Sequence, residues 1–240
     1  MKGFDYCCLI TCEHGGNRVP IEYQPLFKGK QQLLKSHRAW DPGALILAKE
    51  LAGTLQGKLV YSTTTRLLID LNRSAHHPGL YSDALSKLDR TKKETILKKY
   101  YQPYRNQVEN YIRQQVKKGK TVTHFSVHSF TPKLSGKSRD ADIGLLYDPA
   151  RRYEKDLCDK LQKTILQKYS GIKVRKNYPY RGTADGFTTY LRKEFPGTKY
   201  LGVELELNQK HVAGDKESWK KIRKSLTSVL REVCEERSSR

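Results

Sequence analysis

Short apolar segments alternate with longer amphipathic stretches in this sequence, and this alternation constrains the fold more than any other feature. The apolar segments predict strands over 6–11, 59–64, 67–71, 121–130, 142–147 and 200–207, with another beginning at 172. Helical periodicity predicts helices over 44–55, 149–169 and 184–195, one starting at the capping box 91–94, and one at the C-terminus. Strands that alternate with helices indicate an α/β fold, in which helices cover both faces of a mixed, mostly parallel sheet.

The sequence contains no internal repeat, low-complexity segment or long linker, so we expect a single domain over residues 1–240. Asp41 and Pro42 suit the N-cap and the first position of the helix predicted over 44–55. Pro103 should kink or split the helix that begins near Thr91, because proline cannot donate a helical hydrogen bond.

The chain is strongly basic, with 46 Lys and Arg against 25 Asp and Glu and a net charge of +21. Its lysines are spread over the predicted helices and are not interleaved with aromatic residues, so nucleic-acid binding is disfavoured. A basic, well-solvated surface is the simplest interpretation of this charge, and a field that attracts a small anionic substrate is the second. No apolar run approaches the roughly 20 residues that cross a bilayer. Since the N-terminus also lacks a signal-peptide pattern, we expect a cytoplasmic protein with no membrane partner.

Cysteine usage argues against two further classes of protein. The chain has five cysteines and no CxxC motif, which disfavours both a disulfide framework and a zinc site built from cysteine. It also lacks the P-loop, GxGxxG, GxSxG and HExxH motifs. Nucleotide binding and serine-esterase chemistry therefore lose their main sequence signatures.

Histidine and carboxylate side chains lie at the predicted strand ends, where open α/β sheets bind ligands. His14 follows the first strand, and His124 and His128 share one face of a later strand. Glu204 and Glu206 share one face of a strand whose other face is apolar. A carboxylate on a buried strand must be paired, neutral or metal-bound, so these segments are candidates for a metal site and a general base.

Arginines form a further group of candidates. Arg66 and Arg73 flank the segment that holds Asp70 and Asn72, and Arg139 precedes a strand. Arg181 lies in the segment 177–186, which is rich in Gly, Pro and Tyr and predicts a structured loop that could cover a site. Arginine forms forked hydrogen bonds with carboxylates, although a surface ion pair explains each arginine taken alone.

Taken in order, several short segments resemble the N-formylglutamate amidohydrolase family. The matching segments are 11–20, 40–44, 66–73, 128–130, 139–147, 177–186 and 204–209. Their order and combination are more specific than any one of them. The resemblance implies a three-layer α/β/α sandwich similar to the zinc carboxypeptidases, with a metal site at the strand ends.

The resemblance also implies one zinc ion per chain. It makes His14 and His128 the two histidine ligands. For the third ligand, Asp41 is the candidate because the family motif has an acid there, and Glu13 and Asn17 are the alternatives.

The catalytic roles carried over from the family fall on two residues. Glu206 would be the general base that takes a proton from water and returns it to the leaving amine, and it matches the family motif better than Glu204 does. Arg66 would polarise the scissile carbonyl.

The substrate implied by the resemblance is an N-acyl amino acid such as N-formylglutamate, hydrolysed to formate and glutamate. Asn72 and Arg73 are similar to the pair that holds a terminal carboxylate in zinc carboxypeptidases. Arg139 and Arg181 are candidates for a second carboxylate.

Two alternative functions stay open. One is the same chemistry on another N-acyl amino acid or a peptide, and the other is a catalytically silent relative that binds anions or nucleic acid through its basic surface. The presence of His14, His128 and Glu206 favours the enzyme.

Overall fold

A six-stranded mixed sheet forms the centre of the computed structural model, which describes residues 6–238. Its strands lie in the order β2-β1-β3-β8-β6-β7. All neighbours run parallel except β6, which is antiparallel to β8. A separate two-stranded hairpin consists of β4 and β5. The strands are β1 (Tyr6–Cys12), β2 (Lys58–Tyr61), β3 (Thr121–Phe130), β4 (Lys133–Leu134), β5 (Lys137–Ser138), β6 (Ile143–Leu146), β7 (Val174–Lys176) and β8 (Tyr200–Asn208).

Helices connect most of these strands. The α-helices are α1 (Gln31–Lys35), α2 (Ala44–Thr54), α3 (Arg90–Ile96), α4 (Gln102–Lys117), α5 (Arg152–Lys168), α6 (Phe187–Glu194), α7 (Lys210–Ala213) and α8 (Lys216–Ser238). Short 3₁₀ turns occupy Ile21–Phe27, Pro78–Leu80 and Asp83–Leu85, and one π-helical turn, Leu97–Tyr101, separates α3 from α4. Among residues 6–238, no helix has the length and apolar character needed to span a bilayer.

Two apolar layers cover the sheet, and this confirms the predicted α/β sandwich. Helices α2, α5 and α8 pack on one face, and their buried side chains form one core with alternate residues of β1, β3, β6 and β8. Helices α3, α4 and α6 form a second core on the opposite face. The second face also carries buried polar side chains of β3 and β8, which include His124, Ser126, His128, Glu204 and Glu206.

The alternation predicted for β8 is confirmed. Val203, Leu205 and Leu207 belong to the core beneath α2, α5 and α8. Glu204 and Glu206 lie between them in sequence, and Glu206 pairs in register with His128 of β3. The strand is buried along its whole length, so both carboxylates are largely withdrawn from water.

The strand predicted over 67–71 is wrong, because this segment is a series of turns. Two of its backbone bonds close turns, with the Leu68 N–H donating to the Thr65 carbonyl at 3.0 Å and the Arg73 N–H donating to the Asp70 carbonyl at 3.2 Å. A longer-range bond, from the Asp70 N–H to the Leu80 carbonyl at 2.9 Å, joins it to another turn and not to the sheet. Leu68 and its neighbour Ile69 are both buried. Consecutive apolar residues in a coiled segment, buried on all sides, look the same in sequence as a buried strand.

The two predicted helix starts also differ from the structure. Gly43, in the left-handed region at φ 81°, is the N-cap residue of α2. Asp41 therefore does not cap α2, and its carboxylate is used elsewhere. Asp89 caps α3 by accepting from the Lys92 N–H at 2.8 Å. Pro103 lies in the first turn of α4, just after the π-helical turn that ends at Tyr101. The backbone stays in the right-handed helical region at Tyr101 and Gln102, so the helix is distorted near Pro103 and is not broken.

Candidate active site

A cavity of about 180 Å³ opens on the polar face of the sheet, where β1, β3 and β8 end. Its wall is almost entirely polar. The lining residues are His14, Asp41, Arg66, Asn72, Arg73, His128, Ser129, Tyr180, Arg181, Ala184, Asp185, Glu204 and Glu206. Strand ends of a parallel sheet converge at one edge, which is why residues from distant parts of the sequence meet here.

Three of these side chains form a candidate metal site. One ligand atom each from His14, Asp41 and His128 lies within 4.8 Å of the others, and all three residues are buried. His14 reaches this position through the tight turn after β1. A Cβ atom on Gly15 or Gly16 would lie 2.8 Å from a backbone carbonyl of the segment after β2, so these two positions require glycine.

His14 is oriented by two aspartates. Its Nε2 lies 2.7 Å from Asp70 Oδ1, and its Nδ1 lies 3.4 Å from Asp41 Oδ2. A proton on Nε2 that is donated to Asp70 leaves the lone pair of Nδ1 directed at Asp41 and the cavity. Burial and Arg66 oppose a charge on the imidazole, but Asp70 and Asp41 outweigh them and raise the pKa of His14.

His128 is oriented in the same manner from the other side. Its Nδ1 lies 2.9 Å from Asp41 Oδ2, while its Nε2 lies 3.0 Å from Ser126 Oγ and 3.4 Å from Glu13 Oε2. Ser126 donates to Glu13 at 2.8 Å, so Ser126 Oγ can accept the Nε2 proton of His128. Burial lowers the pKa of His128, but Asp41 and Glu13 more than compensate and raise it well above its usual value.

The third-ligand alternatives lie in different places. The Asp41 carboxylate faces both imidazoles and is 3.5 Å from Arg66 Nη1. Glu13 lies behind His128, where it accepts a hydrogen bond from Tyr104 Oη at 3.0 Å. Asn17 points away from the cavity and donates to the Leu34 carbonyl at 2.8 Å.

The donor set fits a divalent metal ion. Two imidazole nitrogens and one carboxylate oxygen, with a cavity beside them, match the ligand types of catalytic zinc sites that keep a position open. Asp70 and Glu13 add the carboxylates that commonly hold the second nitrogen of such histidines.

Glu206 lies beside this cluster with one carboxylate oxygen uncommitted. Its Oε2 is buried and has no hydrogen-bond partner within residues 6–238. Burial, reinforced by the negative charges of Asp41 and Glu204, raises the pKa of Glu206 to about 8, although His128 acts in the opposite sense. Glu204, in contrast, accepts a hydrogen bond from Thr188 Oγ1 at 2.5 Å.

The arginine candidates divide into two groups. Arg66, Arg73 and Arg181 line the cavity, whereas Arg139 is not among the lining residues. Arg66 donates two hydrogen bonds to a single oxygen of Asp70, Oδ2, from Nε at 3.1 Å and from Nη2 at 2.6 Å. Arg139 stacks on the outer side of Tyr180 at 5.0 Å and donates to its hydroxyl at 3.2 Å.

Asn72 and Arg73 come from the coiled segment after residue 71. Asn72 Oδ1 accepts from the Phe187 N–H at 2.7 Å, at the start of α6. Arg73 Nη1 donates to the Asp185 carbonyl at 3.2 Å. Both residues line the cavity, and both are tied to the part of the chain that leads into α6.

The segment 177–186 forms one wall of the cavity and includes Tyr180 and Arg181. Asn177 holds it against the end of β6, because its Oδ1 accepts from the N–H groups of Tyr147 at 3.1 Å and Gly182 at 3.0 Å. A Cβ on Gly182 would lie 2.2 Å from the Tyr147 nitrogen, so only glycine fits there.

The sequence analysis assigned no role to the two residues that hold the imidazoles through hydrogen bonds. Asp70 links His14 to Arg66, and Ser126 links His128 to Glu13. An acid inside the apolar segment 67–71 was the available signal for Asp70. Nothing in the sequence distinguishes Ser126 from an ordinary strand serine.

Comparison with known proteins gives a consistent result. The model of the family described as N-formylglutamate amidohydrolase matches residues 6–213. No protein among those with curated descriptions matches the chain. A solved structure of a gene product from Agrobacterium tumefaciens is similar, with a TM-score of 0.81 and 28% identity, covering 98% of this chain and 92% of that one. An N-formylglutamate amidohydrolase from Ralstonia eutropha JMP134 has a TM-score of 0.72 and 18% identity, covering 98% and 94%.

Proposed function

Since the chain belongs to the N-formylglutamate amidohydrolase family, we propose that it is a zinc-dependent enzyme that hydrolyses an N-acyl amino acid, with N-formylglutamate as the first candidate. One observation carries the proposal. A cluster of two histidines and an aspartate shares a cavity with a buried carboxylate oxygen that has no hydrogen-bond partner. A metal site and an adjacent general base are the two parts that metal-dependent amide hydrolysis requires.

His14, Asp41 and His128 would hold one zinc ion per chain. Zinc bound there would supply Lewis acidity, which acidifies water and polarises the scissile carbonyl. Asp70 and Glu13 keep the outer nitrogens of the two imidazoles occupied, so that the inner nitrogens are free to donate to the metal.

Glu206 is proposed to move the proton. Hydrolysis adds a hydroxide to the acyl carbon, breaks the C–N bond and delivers a proton to the departing nitrogen. Glu206 Oε2 would accept the proton of the attacking water and then pass it to that nitrogen. Arg66 would stabilise charge on the scissile carbonyl, since it lines the cavity and is held in place by Asp70.

The substrate carboxylates would be bound by the cationic and amide side chains that line the same cavity as the metal ligands. Asn72 and Arg73 are proposed to bind one carboxylate, and Arg181 a second one. Arg139 would act through Tyr180, whose hydroxyl it contacts. A small anionic substrate is consistent with the net charge of +21.

Elemental analysis of the purified protein tests the metal site directly. We expect about one zinc per chain in the wild type and less than about a tenth of that in His14→Ala and His128→Ala, because a two-ligand remnant binds zinc weakly. His124→Gln is the matched control, since His124 is a buried histidine of the same strand that bonds Thr11 and Tyr200 instead. Zinc content that is equal in all four proteins would contradict the proposal.

Hydrolysis of N-formylglutamate, followed by formate release, tests the reaction. Glu206→Gln should keep its zinc and lose activity by about 10²- to 10⁴-fold, because the amide cannot accept the proton. An active Glu206→Gln variant would remove Glu206 from the mechanism. If the wild type binds zinc but does not cleave this substrate, the same assay with other N-acyl amino acids tests the alternative substrate class.

A further inference from the structure

A guanidinium is buried in α4 on the side of the helix that faces the sheet. Arg105 is only 6% exposed and lies next to Tyr104 on the buried face of the helix, which continues with Val108 and Ile112. Among residues 6–238, Arg105 takes part in no ion pair. Burying a cation without a carboxylate partner is unfavourable in free energy unless other groups replace its hydration. The groups around Arg105 should therefore show what stabilises it there.

Aromatic rings replace part of that hydration. The guanidinium carbon of Arg105 lies 4.0 Å from the ring centre of Phe187, 4.7 Å from that of Tyr190 and 5.0 Å from that of Tyr101. These distances are within the range of attractive cation–π contacts. Burial nevertheless lowers the pKa of Arg105.

Backbone carbonyls provide the hydrogen bonds. Arg105 Nη1 donates to the Leu71 carbonyl at 3.3 Å and to the Arg73 carbonyl at 3.2 Å. The hydroxyl of Tyr101, one turn earlier in the π-helical segment, donates to the same Arg73 carbonyl at 2.8 Å. The two acceptor residues flank Asn72, so the guanidinium bridges the backbone on both sides of one cavity-lining residue.

The same guanidinium also supports the side chain of Asn72 indirectly. Asn72 Oδ1 accepts from the Phe187 N–H, and the Phe187 ring is the one closest to Arg105. The backbone of Asn72 and Arg73 and the hydrogen-bond partner of Asn72 are therefore all held against one side chain of α4. This segment has no strand or helix of its own that could fix its geometry.

We propose that Arg105 is a positioning residue. It sets the affinity of the cavity for a carboxylate by fixing the backbone of Asn72 and Arg73 through the carbonyls of Leu71 and Arg73. This inference rests on the proposed function, which assigns the substrate carboxylate to that pair. Arg105 does not line the cavity, and therefore it acts on substrate binding without touching the substrate. Its loss lets the 71–73 backbone shift, and forked binding of a carboxylate tolerates such a shift poorly.

The test compares four variants of the zinc-loaded enzyme. Arg105→Met keeps much of the apolar contact and removes every hydrogen-bond donor of the side chain. Arg105→Lys keeps the positive charge but loses the planar guanidinium. Tyr101→Phe removes only the second donor to the Arg73 carbonyl. Arg113→Met is the matched control, because Arg113 lies on the same helix, is exposed and stacks on Phe195.

Calorimetric binding of glutarate, a dicarboxylate that cannot be hydrolysed, measures the carboxylate site without turnover. We expect Arg105→Met to weaken glutarate binding by about tenfold or more, the effect of losing roughly one well-formed hydrogen bond to a charged group. Arg105→Lys should lie between Arg105→Met and wild type, Tyr101→Phe should weaken binding by about 2- to 5-fold, and Arg113→Met should match the wild type.

Kinetics with an N-acyl amino acid substrate give the second measurement. We expect KM to rise in parallel with the glutarate Kd, with kcat within about threefold of wild type and zinc content unchanged. Unchanged glutarate binding in Arg105→Met and Tyr101→Phe would overturn the inference, as would a fall in kcat that exceeds the rise in KM. A wild type that binds glutarate but cleaves no N-acyl amino acid would disprove the proposed reaction and leave the role of Arg105 standing.

Discussion

Glu206 illustrates how burial prepares a single residue for chemistry. Its side chain lines the same cavity as the two imidazoles, its Oε2 is uncommitted, and in the metal-free protein burial raises its pKa to about 8. A glutamate in an unfolded chain has a pKa of about 4.3. Between these two values the folded protein holds a proton that the unfolded chain has released. The contribution of Glu206 to stability is therefore fully present below pH about 4 and is lost as the pH rises toward 8.

The raised pKa of Glu206 predicts how the stability of the protein should depend on pH after any bound zinc is removed with a chelator. Glu206→Gln cannot ionise, so it should gain stability relative to wild type by about 1 kcal/mol per pH unit between pH about 5.5 and about 7.5. Urea unfolding of both proteins at each pH measures the difference. A stability difference that stays constant across this range would show that Glu206 is already ionised in the folded state.

A second prediction at the residue scale concerns Asp70, which holds His14 Nε2 at 2.7 Å. Asp70→Asn keeps the shape of the side chain and removes its charge. We expect zinc affinity to fall by about 10- to 100-fold, as is usual when the partner of a metal-bound histidine is altered. Competition with a chelator of known affinity measures the change. Asp185→Asn serves as the control, because Asp185 lines the same cavity but accepts from the Ser74 N–H and is not a hydrogen-bond partner of His14 or His128.

At the same scale, the sequence was sufficient to predict site residues that are polar but lie next to apolar segments. His14, His128 and Glu206 stood out as polar groups at the ends of apolar segments, and the structure gathers them in one cavity. Asp70 and Arg105 did not stand out as site residues. Their roles depend on contacts with residues distant in the sequence, and the path that brings those residues together is fixed only by the packed chain.

At the scale of elements, α5, α6 and β8 are joined by one buried ion pair. Glu154 of α5 is 1% exposed and accepts from Arg192 of α6 at 3.0 Å and from the Gly202 N–H of β8 at 3.0 Å. Arg192 also donates to the Gly202 carbonyl at 2.8 Å. The pair therefore fixes the position of β8, which carries Glu206, relative to the helices on both faces of the sheet.

Breaking this pair should be costly. We expect Glu154→Ala to lower the free energy of unfolding by about 3–5 kcal/mol, because it leaves Arg192 buried without a counter-charge. Glu94→Ala, which removes an exposed pair with Arg90 on α3, should cost less than about 1 kcal/mol. Urea denaturation of the two variants decides the matter, and equal losses would mean that the buried pair has no special role.

Element prediction succeeded where periodicity and burial agree. Strands β1, β3 and β8 and helix α8 have clear patterns, and their positions were predicted to within a few residues. The segment 67–71 was misassigned because it is buried on all sides without pairing to the sheet. The start of α2 was misplaced because Asp41, a good capping residue by type, faces the two imidazoles instead.

On the scale of the whole molecule, the chain has a net charge of +21, and its cavity is lined by both arginines and carboxylates. Such a field should accelerate the arrival of an anionic substrate, and dissolved salt should screen it. We expect kcat/KM for N-formylglutamate to fall by about 3- to 10-fold between about 20 mM and about 300 mM salt. The uncharged diamide of the same substrate is the control, and an equal fall for both compounds would exclude electrostatic steering.

The two-faced construction of β8 has a consequence for how this protein tolerates mutation. Val203, Leu205 and Leu207 serve only the packed core, whereas Glu204 and Glu206 face the cavity. In a saturation scan of β8, substitutions at Val203, Leu205 and Leu207 should therefore lower the amount of folded protein. Substitutions at Glu204 and Glu206 should instead lower turnover while the protein still folds.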